Sequence, residues 1–120
     1  MTELSKHAPR DTWQHVCGDA IRIVNFISDR NIRNEDVKTR NFIVRKDPIT
    51  AKLKVFMIDF ACCELRRRDQ DEQGWRELKA IEDEECAVGY VMQRYLEGGY
   101  VYHRTRGYLK LDEEFMMEED

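Results

Sequence analysis

The chain has 120 residues, enough for one domain with one modest core and too few for a large multi-lobed enzyme. Charged residues make up 37% and hydrophobic ones 42%, with a mean hydropathy of -0.72, yet the apolar residues are clustered, so the chain does not read as disordered throughout. The net charge of -4 is uneven: residues 1–60 carry 11 Lys+Arg and 8 Asp+Glu, and residues 61–120 carry 9 and 16. The excess of base in the first half is too small to indicate nucleic acid. No apolar run suits a signal peptide or a membrane span, and no Asn lies in an N-x-[ST] acceptor. Cys17, Cys62, Cys63 and Cys86 show neither C-x-x-C nor zinc-finger spacing. Together these features predict reduced thiols acting as small buried hydrophobes in an intracellular, cytoplasmic protein, with no nucleic-acid and no membrane partner.

In chain order, residues 1–11 are polar and read as a flexible lead-in. Trp13, Val16, Cys17, Ala20, Ile23, Val24 and Ile27 recur at helical spacing, widened by Ile21 and Phe26. They predict a well-buried helix, capped by Asp11 or Thr12 and ended by a left-handed Asn31. Residues 32–41 read as an ordered loop whose Ile32 and Val37 dip into the core. Phe42-Ile43-Val44 and residues 54–58 are short strands joined by a Pro48-containing turn, the signature of a hairpin that ends at Asp59.

Residues 62–74 are dense in charge and read as an exposed segment. A second long helix is predicted over residues 75–96, stopped by Gly98-Gly99. The acidic run Glu82-Asp83-Glu84-Glu85 reads as a solvated helix face, or as the division between two helices. Residues 100–111 are aromatic and basic, with Tyr100, Tyr102 and Tyr108 forming a recognition surface or packing on a partner. The end, from Asp112 to Asp120, has six acids and no base and reads as a solvated tail. The domain plan is thus a lead-in at 1–11, one module at 12–111 and an acidic tail at 112–120. The core is predicted to hold Trp13, Val24, Ile27, Phe42, Val55, Phe56 and Met92, in an α+β, mostly helical fold.

Dinucleotide, Walker, zinc-protease and serine-hydrolase motifs are absent. One constellation stands out. Asp36 and Asn41 lie five residues apart at the mouth of the hairpin, and the hairpin returns Asp59 toward them. Phosphoryl transfer on a magnesium-bound nucleotide uses such a set: one carboxylate orients the attacking hydroxyl, while an amide oxygen and a second carboxylate hold the metal.

Residues 34–44 resemble the catalytic loop H-R-D-x-x-x-x-N of the protein kinase-like family, and Ile58-Asp59-Phe60-Ala61 resembles its D-F-G motif. Glu84-Glu85-Cys86-Ala87-Val88-Gly89 is similar to the acidic start of that family's central large-lobe helix. The likeness spans about residues 13 to 103 and is closest over 20 to 61. It implies a truncated kinase-like C-lobe, with Asp36 as catalytic base, Lys38 facing phosphate, and Asn41 and Asp59 holding Mg2+ and ATP. Departures accompany it. Asn34 and Glu35 stand where the family has His and Arg, Ala61 stands for the Gly, and no A-P-E or glycine-rich strand pair occurs. The expectation is a catalytically inactive, pseudokinase-type interaction protein or remnant, self-associating or binding a protein partner through exposed apolar surface. The alternative is a phosphotransferase completed by another chain or by an upstream small lobe.

Overall fold

A computed structural model describes residues 4–34 and 37–115. The fold is α+β and mostly helical, as expected. A helical turn α1 (Leu4–His7) leads through a 3-10 turn (Arg10–Thr12) into α2 (Trp13–Ser28). Strand β1 (Ile32–Asn34), a 3-10 turn (Thr39–Asn41), β2 (Phe42–Lys46), β3 (Leu53–Met57) and β4 (Cys63–Leu65) follow. Helices α3 (Glu72–Glu82), α4 (Glu84–Tyr95) and α5 (Arg106–Phe115) complete it. Among the described residues no helix is long and apolar enough to cross a membrane.

Helix α2 is the spine. Its Val16, Cys17, Ala20, Ile21 and Val24 fall on one stripe at 3.6-residue spacing and are buried against α4 on one side and β3 on the other. The Trp13 indole is buried and donates to the Ala8 carbonyl at 3.0 Å, which ties the lead-in down, and Leu4 reaches the same core. Asn31, at φ 61°, closes the helix in the left-handed region, as its side chain allows.

Strands β2 and β3 form the expected hairpin, with Phe42 opposite Met57 and Val44 opposite Val55. The Asp47 carboxylate accepts from the Ile49 and Thr50 amides at 2.8 and 3.1 Å, so the turn is held by a side chain mimicking backbone. Those two amides and Lys54 hold the Asp47 carboxyl below its usual range. Leu53, Val55 and Met57 face the core, which turns Phe56 outward at 48% exposure. Adjacent strand residues point to opposite faces, so Val55 and Phe56 cannot share the core as predicted. Trp13, Val24, Phe42 and Met92 are buried, and Ile27 is half-buried.

One predicted feature is corrected, and of two readings of the acidic run one is decided. Residues 32–34 and 63–65 are not loop: they pair antiparallel, with Ile32 opposite Leu65 and Asn34 opposite Cys63. Three residues on each side are too few for alternation to announce a strand. The second long helix is two helices. Asp83 takes the left-handed conformation (φ 45°, ψ 60°), its amide closes α3 on the Lys79 carbonyl, and its side chain caps α4 through the Cys86 amide at 3.1 Å. One residue thus serves as the last cap of α3 and the first of α4. Beyond Tyr95, α5 runs through Asp112 to Phe115 and packs on α3, burying Trp75, Tyr108 and Leu111. Residues 116–120 of the predicted tail lie outside the described residues.

Gly89 lies where α4 meets the Tyr102 ring, and a Cβ there would collide with the ring carbons. Gly89→Ala is expected to lower stability by about 1–3 kcal/mol through overpacking. Urea unfolding checks this: the midpoint should fall with the slope unchanged.

Candidate functional site

The hairpin mouth is built by backbone bonds. The Asn41 amide closes the 3-10 turn on the Lys38 carbonyl at 3.0 Å, and the Asn41 carbonyl accepts from the Ile58 amide at 2.6 Å. Asp59 follows one residue later. Asn41 and Asp59 therefore occupy adjoining positions at one end of the hairpin, though they are 18 residues apart in the chain.

Their environments differ. Asn41 is buried at 7% exposure, whereas Asp59 is exposed, with φ 65° and its carboxylate accepting from the Ala61 amide at 3.3 Å. Lys38 is exposed and lines a shallow cleft of about 280 Å³ with Val37, Arg40, Val91 and Tyr95. The candidate base Asp36 lies outside the described residues, as does Glu35. Of the oxygen donors that magnesium needs, the described residues bring one exposed carboxylate and one buried amide to this end. Among them no group of three or more His, Cys, Asp or Glu could hold a metal.

The strongest electrostatic arrangement lies next to this loop, at the start of α4. Glu84 is buried at 5% exposure, and its Oε1 accepts from the Asn34 amide at 2.5 Å. Burial pushes the Glu84 carboxyl up to about 7, with neighbouring Glu82 pushing the same way. The Asn34 amide, Lys79 and Arg33 pull against them. Arg33 bridges Glu82 of α3 at 2.6 Å and Glu64 of β4 at 2.9 Å, so the short β1–β4 pair is bolted to α3 by charge.

Glu85 is completely buried. Its carboxylate accepts from Asn25 Nδ2 (2.9 Å), the Tyr102 hydroxyl (2.6 Å), the Thr105 amide (2.8 Å) and the Thr105 hydroxyl (2.7 Å). Burial and this bond to a carboxylate push the Tyr102 hydroxyl above its ordinary value. Beside it, Arg104 grips Asp112 through Nε and Nη2 (2.7 and 2.8 Å) and reaches Asp83 at 3.0 Å.

The acidic run is therefore no solvated face: Glu84 and Glu85 turn inward in the first turn of α4, because donors from three other segments meet them there. Tyr100, Tyr102 and Tyr108 likewise turn inward, at 3%, 6% and 2% exposure, and form no recognition surface. Sequence reading missed Asn25, Arg33, Arg104 and Thr105. A signal for Glu85 existed: it shares one helical face with Val88 and Met92, an acid on an apolar stripe. Of the cysteines, Cys17 is buried and its thiol is pushed up to about 12 by burial, Cys63 and Cys86 are half-buried, and Cys62 is exposed. All four are free thiols.

Two outcomes test this cluster. Glu84 has a folded-state pKa above its ordinary 4.5, so the folded protein holds the extra proton between the two values. Its contribution to stability is full below the lower value and is lost as pH rises through about 7. The difference in stability between the wild type and Glu84→Gln should change by up to about 3 kcal/mol across that window, read from urea midpoints at a series of pH values. Glu85→Ala removes the acceptor of the Tyr102 hydroxyl and of the Thr105 amide and hydroxyl, while Asn25 Nδ2 keeps only the Ile21 carbonyl, and should cost about 3 kcal/mol or more, read from the thermal midpoint.

The chain matches no family model, and comparison with curated proteins and with solved structures returns no match.

Proposed function

We propose that the chain is a protein kinase-like module of the catalytic-loop region that acts as an intracellular, cytoplasmic interaction protein of the pseudokinase type rather than as a catalyst. The observation that carries the reading is the bond between Glu84 and the Asn34 amide. Glu84 opens the segment that resembles the family's central helix, and Asn34 opens the segment that resembles its catalytic loop. These two stretches, 50 residues apart in the chain, meet in a buried bond. The adjoining positions of Asn41 and Asp59 support the same ancestry.

Three features favour interaction over catalysis. Asn34 and Glu35 replace the family's His and Arg, and Glu35 sets a negative charge beside the candidate base. Asp59 spends its carboxylate on the Ala61 amide of its own loop. Around the hairpin, Phe26, Phe56, Ile58 and Phe60 are exposed at 55%, 48%, 41% and 52%, a grouping suited to a protein partner. Four free thiols suit a reducing compartment.

If Mg2+ and ATP bound, Asn41 and Asp59 would hold the metal, which would neutralise phosphate charge, and Asp36 and Lys38 would serve as base and phosphate contact. The juxtaposition of Asn41 and Asp59 is what favours this second reading, a phosphotransferase completed by another chain. Calorimetry with ATP and Mg2+ separates the two. The interaction reading expects no heat of binding and no thermal shift, in the wild type or in Asp59→Asn. Magnesium-dependent binding that Asp59→Asn abolishes overturns it in favour of the enzyme.

A further inference from the structure

Strand β3 carries an open edge whose hydrogen-bonding pattern is read directly from the hairpin. The Asp47 amide bonds the Lys52 carbonyl at 2.8 Å, and the Ile58 amide bonds the Asn41 carbonyl at 2.6 Å. Residues 52 and 58 thus turn their backbone groups toward β2. Alternation along the strand sends those of Lys54 and Phe56 the same way and those of Leu53, Val55 and Met57 the other way. β3 has β2 as its one strand neighbour among the described residues, and none of those three residues has a further backbone bond there.

The edge does not face bare solvent alone. Between it and α2 runs a groove of about 420 Å³, lined by Leu53, Lys54, Val55, Phe56, Ile23 and Phe26, with Arg22 and Asp19 paired at its rim. An added strand would lay its inward side chains in this groove.

We infer that the occupant is the β3 of a second copy of this chain, paired antiparallel about a two-fold axis through Val55. In that register Leu53 meets Met57 of the second copy, Val55 meets Val55, and Met57 meets Leu53, so every open donor and acceptor on both edges finds a partner. The charges agree with the register as well. On the outer face each Lys54 lies opposite an exposed Phe56 of the other copy, and no like charges meet. The inner faces lie on the same side of the resulting four-stranded sheet, so Leu53, Val55 and Met57 of both copies continue one apolar layer. Open, apolar edges pair unless blocked, and β3 carries neither proline nor bulge. The inference deepens the interaction reading above by naming its partner. Nucleotide binding and mass are independent measurements, so either reading can fail alone.

Sedimentation equilibrium over a hundredfold concentration range tests it. The wild type should approach twice its 14.4 kDa mass. Phe56→Lys lies on the exposed outer face and sets Lys opposite Lys54 at two symmetric places, so dimerisation should weaken at least tenfold with the circular dichroism unchanged. Adding Lys54→Glu to Phe56→Lys replaces that repulsion with two attractive pairs and should restore the dimer. Val55→Pro removes an edge donor without touching a hairpin bond and should give a monomer. A wild type that stays monomeric throughout overturns the inference, as does a dimer that neither Phe56→Lys nor Val55→Pro weakens.

Discussion

The buried carboxylate of Glu85 is the constraint on which the rest of the structure depends. A carboxyl group with no exposure is tolerable only when its oxygens are filled, and Asn25, Tyr102 and Thr105 fill them. These donors come from α2 and from the extended segment before α5, so one side chain fixes where three parts of the chain must lie. Gly89 follows from the same demand, since the Tyr102 ring, on its way to Glu85, packs against α4 where no Cβ is present. Tyr90 then meets the Tyr102 ring edge-on at 4.9 Å.

Glu84 extends this organisation toward the hairpin. It anchors the end of β1, next to the candidate site. Arg33 pulls β4 and α3 onto the same place. The Glu84 carboxyl, raised to about 7 by burial and by Glu82, makes the anchor sensitive to protons near neutrality. The chain thus places its least settled electrostatics beside its candidate site and its most completely satisfied carboxylate, Glu85, in the core.

The hairpin was legible because its evidence is local. Apolar runs on both sides of a turn that contains Asp47-Pro48 define it, and the return of Asp59 to Asn41 follows from the register alone. The division between α3 and α4 was legible as one of two readings of the acidic run, and Asp83 decides it by adopting a conformation in which it caps both helices. The pairing of β1 with β4 was not legible, because three residues on each side are too few to show a periodicity. The inward turn of Glu84, Glu85 and the tyrosines was not legible either, since an acid looks the same in sequence whether its donors are water or distant side chains.

By itself, the sequence determined the elements whose causes lie within a few residues: the apolar stripe of α2, the left-handed stop at Asn31, the Asp47 turn and the α+β, mostly helical class. Tertiary structure decided which charges are buried. Burial of a carboxyl group depends on donors 20 to 60 residues away, as Thr105 and Asn25 are from Glu85, and on the space left by Gly89. It also decided which residues of β3 look outward, because the face and edge of a strand exist only once its register with β2 is set.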